Sequence, residues 1–119
     1  MAISFEVEHR DKYSVVRVDG NPGLDEFVEF VKTLGTQSAG WSTRRLLVDM
    51  RGIRSLKTFT EHYAVGEAAA RELAHLQRVA SVVPPDRITR ASEKTAQRAG
   101  FNLVVFISEG DAIAWLVAE

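Results

Sequence analysis

Cysteine is absent from this 119-residue sequence, which removes disulfides, thiol catalysis and thiolate metal sites together. A domain without disulfides suits a reducing compartment. Net charge is nearly absent too. The 15 Lys and Arg stand against 16 Asp and Glu, a formal charge of -1, so no overall field draws the chain to nucleic acid or an anionic membrane. Long apolar runs are missing: the longest, Ala112 to Ala118, has seven residues against the roughly 20 of a bilayer-spanning helix. The opening MAISFE lacks the basic start and apolar stretch of a signal peptide. These absences argue against membrane insertion and lead to the expectation of a soluble, cytoplasmic chain. What is present is ordinary for a globular protein, with 45% hydrophobic and 26% charged residues. The length suits a single domain spanning residues 1–119, with one core.

Ile3, Phe5 and Val7 alternate with Ser4, Glu6 and Glu8, the period of a strand with one buried face. A polar turn, Arg10-Asp11-Lys12, leads to a second strand, Tyr13 to Val18, and the two should pair as an antiparallel hairpin. Asn21 is placed to cap a helix with Pro22 as its first residue. Leu24, Phe27, Val28, Val31 and Leu34 then recur at helical spacing, and Gly35 with the polar run to Gly40 should end that helix. Arg45 to Met50 is apolar without alternation, as in a strand covered on both faces. Thr58 and Glu61 form a capping box ahead of a second helix, whose inward stripe is expected at Phe59, Tyr63, Gly66, Ala70 and Leu73. A fourth strand, Arg78 to Val83, precedes a weaker helix from about Asp86 to Ala99, with Ile88, Ala91, Thr95 and Ala99 inward and Gly100 as its cap. Asn102 to Ile107 is the last strand. Ser108 to Asp111 then opens a short helix carrying Ala112, Ile113, Trp115 and Leu116. Alternating strands and helices need crossover connections, so the expected fold is α/β. It has a mixed, mainly parallel five-stranded sheet with an N-terminal antiparallel hairpin and about four helices.

The stretch Leu46-Leu47-Val48-Asp49-Met50-Arg51-Gly52-Ile53, a hydrophobic strand with an Asp and then Gly and an aliphatic residue, resembles the third strand and following loop of STAS domains and of the related SpoIIAA-like family. Val79 to Val83, Phe106 and the AIAWL run at 112–116 are similar to the closing strands and final helix of that group. The resemblance covers nearly the whole chain and implies a non-enzymatic regulatory module that binds a protein partner. In anti-sigma-factor antagonists the helix after the third strand begins with an Asp-Ser pair whose Ser is phosphorylated. Here those positions hold Lys57 and Thr58, and the small Ser-Gly that usually follows becomes Phe59-Thr60. The hydroxyl survives, but the context of the phosphoserine switch does not. SpoIIAA-like proteins commonly lack that switch. The same group resembles the lipid-binding Sec14-type fold, which implies an alternative: a carrier of a small apolar ligand.

The candidate residues follow. Thr58 reads as a helix N-cap, as a phosphoacceptor, or as both, because a helix N-terminus also suits a phosphate. Arg51, Arg54, Lys57, Thr58 and Thr60 make up the candidate partner-binding or phosphoacceptor stretch. Residues 42–57 carry five Lys and Arg against the one acid Asp49, either a solvated loop or a docking face for an acidic partner. Asp49, Phe59 and Tyr63 are candidates for lining an apolar pocket beneath the second helix, with Val65 and sheet residues. Asp49 is expected at the end of its strand, where it orients a ligand or accepts hydrogen bonds from the following loop. Trp41 is either a cover for the sheet edge or an interface anchor. His9, His62 and His75 lack metal-ligand spacing, and no P-loop or G-x-S-x-G elbow occurs, so no metal, cofactor or catalytic residue is expected. The basic stretch has no interleaved aromatics, which argues against nucleic acid. An exposed edge on the opening hairpin makes a homodimer an open question.

Overall fold

The computed structural model describes residues 3–56, 58–87 and 91–118, apart from the side chains of Phe59, Arg87 and Ala91. The chain runs β1 (Ile3–His9), β2 (Ser14–Gly20), α1 (Leu24–Ser38), β3 (Arg45–Ile53), α2 (Phe59–Glu72), β4 (Arg78–Val82), a short 3₁₀ turn (Pro85–Arg87), α3 (Ala91–Arg98), β5 (Leu103–Phe106) and α4 (Glu109–Val117). The five strands lie in sequence order, β1-β2-β3-β4-β5. β1 is antiparallel to β2, and every later pair is parallel. This is the α/β architecture expected from the alternation of elements.

A sheet that grows in one direction through crossovers of constant hand places all the crossover helices on one face. The core follows that rule. Phe27, Val31 and Leu34 of α1, Ala68, Ala69 and Leu73 of α2 and Ala96 of α3 pack with Val16, Val18, Leu46, Val48, Val79 and Leu103 of the sheet. The other face has α4 alone, whose Ala112 and Leu116 close on Val15, Leu47, Ala80 and Val82. Alternate residues of the central strands therefore serve two different cores.

Several boundaries differ from the expected ones. α1 begins at Leu24, with Gly23 rather than Asn21 as N-cap, and the Glu26 carboxylate accepts the Gly23 N–H at 3.0 Å. Gly35 does not end the helix: it lies within α1, buried, where a β-carbon would sit 2.4 Å from the Glu72 carbonyl oxygen. Only glycine lets α1 and α2 approach that closely. Gly66 plays the same part between α2 and α3, with the Ser92 carbonyl 2.5 Å from a notional β-carbon, so it spaces two helices rather than helix and sheet. β3 continues past Met50 to Ile53, which makes Arg51 a strand residue as well as Asp49.

In α3 the buried residue is Ala96 and Ala99 is exposed, one position off the expected stripe. Ile88, expected to face inward, lies outside the described residues, as does the side chain of Ala91. Gly100 follows that helix at a φ of 84°, and the buried Phe101 donates its N–H back to the Ala96 carbonyl.

Candidate functional site

β3 carries the two expected site residues that the fold brings together, and it joins them to two others. Between Arg17 and Asp19 of β2 the register slips, because Asp49 to Gly52 of β3 takes three steps where β2 takes two. At that irregularity the Arg51 N–H turns to Asp49 Oδ1 at 3.1 Å. The Arg51 side chain clasps the same carboxylate with a fork, Nε to Oδ1 and Nη2 to Oδ2, both at 2.9 Å. Arg17 donates to Asp49 Oδ2 at 2.8 Å from the neighbouring strand. Glu109, in the first turn of α4, accepts from both guanidiniums, at 2.8 Å from Arg17 and 2.7 Å from Arg51. Two cations and two anions thus close a neutral cluster.

The cluster fixes the charge states of its members. Burial pushes the Asp49 carboxyl up, but the side-chain and backbone hydrogen bonds from Arg51, with that from Arg17, outweigh it and hold the group below the usual carboxylate range. Arg17 likewise holds Glu109 low, assisted by Arg51 and opposed by burial. Both arginines are held more firmly protonated than usual, Arg17 chiefly by Glu109 and Arg51 chiefly by Asp49.

The far end of α4 is held the same way. Arg45 donates to the Leu116 carbonyl at 2.6 Å, and Arg78 donates to those of Trp115 and Ala118 at 2.7 and 2.6 Å. These are the last carbonyls of a helix with no basic residue of its own in its last turn. Arg44 reaches the His75 carbonyl at 3.2 Å, and Arg54 pairs with Asp19 at 3.1 Å. Four of the five basic residues between 42 and 57 therefore have partners within the chain; the fifth, Lys57, lies outside the described residues.

Beyond Ile53 the chain enters a loop pinned to the hairpin. The Arg54 N–H donates to the Gly20 carbonyl at 3.0 Å and the Ser55 hydroxyl to that of Pro22 at 2.6 Å. Leu56 is buried with φ at 63°, a left-handed conformation that a branched side chain adopts at a cost of about 1 kcal/mol. The apolar contacts of its side chain offset that cost and set the direction in which the chain enters α2. Thr58 then caps the helix. Its Oγ1 accepts the Glu61 N–H at 3.2 Å and donates to Glu61 Oε1 at 2.8 Å, while its own N–H donates to that same carboxylate oxygen at 3.1 Å. Thr58→Ala is expected to cost about 1 kcal/mol of stability, read as a shift of the denaturant midpoint at unchanged slope.

Thr58 and Thr60 are exposed, and Tyr63, one turn further on, is 43% exposed. The expected pocket lining is therefore corrected: Tyr63 faces outward, and Asp49 lies on the α4 face of the sheet, the opposite side from α2. The Phe59 side chain is outside the described residues. The cavity under α2 is lined by Val65 and sheet residues, as expected, together with Leu56, Ala69 and Val83, and has a volume of about 60 Å³. A typical small-molecule site holds about 300 Å³ or more.

With this architecture in view, the comparisons are decisive about kinship. The family described as SpoIIAA-like matches residues 14–117. The chain belongs to the SpoIIAA-like family. Solved structures share the fold at low identity. An anti-sigma factor antagonist from Mycobacterium paratuberculosis is 18% identical, with a TM-score of 0.62 over 98% of this chain and 95% of that one. An uncharacterized protein with a SpoIIAA-like fold from Shewanella loihica is 17% identical, with a TM-score of 0.62 over 97% and 94%. RsbS from Moorella thermoacetica, in a form with a serine-to-glutamate substitution, is 17% identical, with a TM-score of 0.59 over 94% and 93%. The comparison with curated proteins yields no match.

Among the expected site residues of this SpoIIAA-like chain, the structure joins Asp49 to Arg51, and sets Thr58, Thr60 and Tyr63 on one exposed helix end. It also recruits Arg17 and Glu109, which sequence reasoning missed. One signal was available for Arg17, a charged residue flanked by Val16 and Val18 in a strand, which needs a partner when its neighbours are buried. Trp41 is half-buried, edge-on to His9 at 4.9 Å between ring centroids, and covers the sheet rather than standing free. No helix among the described residues is long and apolar enough to cross a membrane.

Proposed function

We propose that this SpoIIAA-like chain is a non-enzymatic regulatory module of the cytoplasm, a single domain over residues 1–119. It captures a protein partner through the β3–α2 loop and the start of α2. The observation that carries this reading is the exposed Tyr63, on the same helix end as the exposed Thr58 and Thr60 and just after the exposed Arg54. An exposed aromatic ring with hydroxyls on the same helix end is the composition of an interface hot spot. The loop that presents them is braced by Leu56 and by bonds to the hairpin, so little conformational freedom is lost on docking.

The departure from Asp-Ser at Lys57-Thr58 supports partner recognition without a phosphoserine switch. The alternative of a small apolar ligand carrier gains nothing from a cavity of about 60 Å³.

Capture from a lysate of the source cells on immobilised protein, read by mass spectrometry, tests the proposal. A specific partner should be retained by the wild type and fall at least tenfold with Arg54→Glu or Tyr63→Ala, with unfolding midpoints unchanged. Capture indifferent to both substitutions, or no specific protein captured at all, would overturn it.

A further inference from the structure

A second surface lies at the edge of the sheet. β1 pairs with β2 on one side and with no strand among the described residues on the other. Its sequence ISFEVEH has neither the proline nor the lysine that often protects such an edge. Beside this edge runs a groove of about 280 Å³ between β1 and α1, with Ile3, Phe5 and Phe30 as apolar lining and Glu26, Glu29 and Thr33 around it. Phe5 and Phe30 meet edge to face at 5.0 Å between centroids, so the groove is firm on its inner side. The alternate residues of β1, Ser4, Glu6 and Glu8, are exposed on the sheet face that α4 leaves uncovered near this edge.

Charge decides the kind of occupant. Residues 1–30 hold Glu6, Glu8, Asp11, Asp19, Asp25, Glu26 and Glu29 against Arg10, Lys12 and Arg17, a balance of 3 − 7 = −4. The cations beside these acids are Lys32, 3.8 Å from Glu29, and Arg10, which pairs with Glu8 at 3.0 Å; Arg17 stands opposite Glu6 in the β1–β2 pairing but its guanidinium turns to Asp49 and Glu109. A second copy added edge to edge in a continuous sheet meets like charge across the strands. Centred on Glu6, the middle of β1, the pairing sets Glu6 against its own counterpart; centred on Val7, it sets Glu6 against Glu8 of the counterpart. A basic segment meets the opposite situation.

We infer that β1 accepts an extended basic peptide segment as a sixth strand, one that alternates apolar residues with lysine or arginine. Its apolar side chains enter the groove over Phe5 and Phe30, and its cations lie along Glu6 and Glu8. The unpaired N–H and C=O groups of β1 supply the affinity that does not depend on sequence. This surface involves none of the residues assigned to partner capture at α2, so each can fail while the other stands.

The probe is a fluorescent heptapeptide of alternating Lys and Leu, titrated against the intact chain. Two controls accompany it: the same peptide with Glu for Lys, and the Lys peptide N-methylated at alternate residues to block strand pairing. The Lys peptide should bind, slow hydrogen exchange at the Ser4–His9 amides, and weaken at least tenfold against Glu6→Lys/Glu8→Lys protein and when N-methylated. Equal binding of the Glu or N-methylated peptide, unaltered affinity for the double variant, or protection elsewhere would overturn the inference. So would a concentration-dependent dimer that protects β1 without peptide, which would assign the edge to a second copy.

Discussion

Gly35→Ala is expected to lower the unfolding free energy by about 2–3 kcal/mol, although alanine is the better helix former. In a helix exposed to solvent the same change would stabilise by about 1 kcal/mol. Here the new methyl would sit 2.4 Å from the Glu72 carbonyl oxygen and 3.3 Å from the Glu72 β-carbon. The obstacle includes the α2 backbone, so no rotamer change relieves it and the helices must separate. Their separation would loosen Leu34 and Leu73, both buried in the shared core. Urea unfolding followed by circular dichroism checks the sign. A destabilised variant with an unchanged slope supports the close crossing, and a stabilised one would show that α1 and α2 do not touch there.

Asp49→Ala should cost about 2 kcal/mol at neutral pH. The carboxylate takes three hydrogen bonds from the Arg51 and Arg17 side chains and one from the Arg51 backbone, and a hydrogen bond to a charged group contributes about 1.5–3 kcal/mol net, not additively over one carboxylate. Both arginines are partly exposed, at 40% and 45%, which keeps the sum well below a fully buried ion pair. Their remaining shared anion is Glu109, so α4 should loosen at its first turn.

Asp49→Asn isolates the charge. A carboxyl whose folded pKa is depressed stabilises the protein fully above the ordinary carboxylate range, and that stability is lost as pH falls through the folded value. Asp49 and Glu109 both follow this rule. Wild-type stability should therefore hold above about pH 5 and fall as pH drops through 4 and below, with a shallower fall in Asp49→Asn. Parallel unfolding series at pH 7 and pH 3.5 read the difference. Identical slopes in the two proteins would remove Asp49 from the acid response.

How much of this was legible depended on the range of each interaction. The capping box at Thr58 and Glu61 is a contact between residues three apart, and it formed as expected. The alternation of β1, the uninterrupted apolar run of β3 and the order of elements were readable for the same reason, since burial period is a local property of the chain. In α2 the expected stripe held at Gly66 and Leu73 but not at Tyr63, because the alanines at 68–70 permit more than one inward face. The packing of α1 at Glu72 and of α3 at Gly66 then chose the rotation, leaving Tyr63 outside. The partners of the basic stretch from Arg44 to Arg54 were not legible in the sequence, because they come from β2, α4 and the segment before β4.

The sequence by itself determined the class of fold and the order of its elements, because hydrophobic period, caps and turns act over a few residues, and its third-strand stretch carried the resemblance to the SpoIIAA-like family. Only the tertiary structure decided which charges are spent on holding α4, which glycines are contact points, and which side chains remain exposed. Arg17 and Glu109 stand 92 residues apart, and no local pattern relates them. Their meeting follows from a sheet that places β2 beside β3 and a last helix that returns across it.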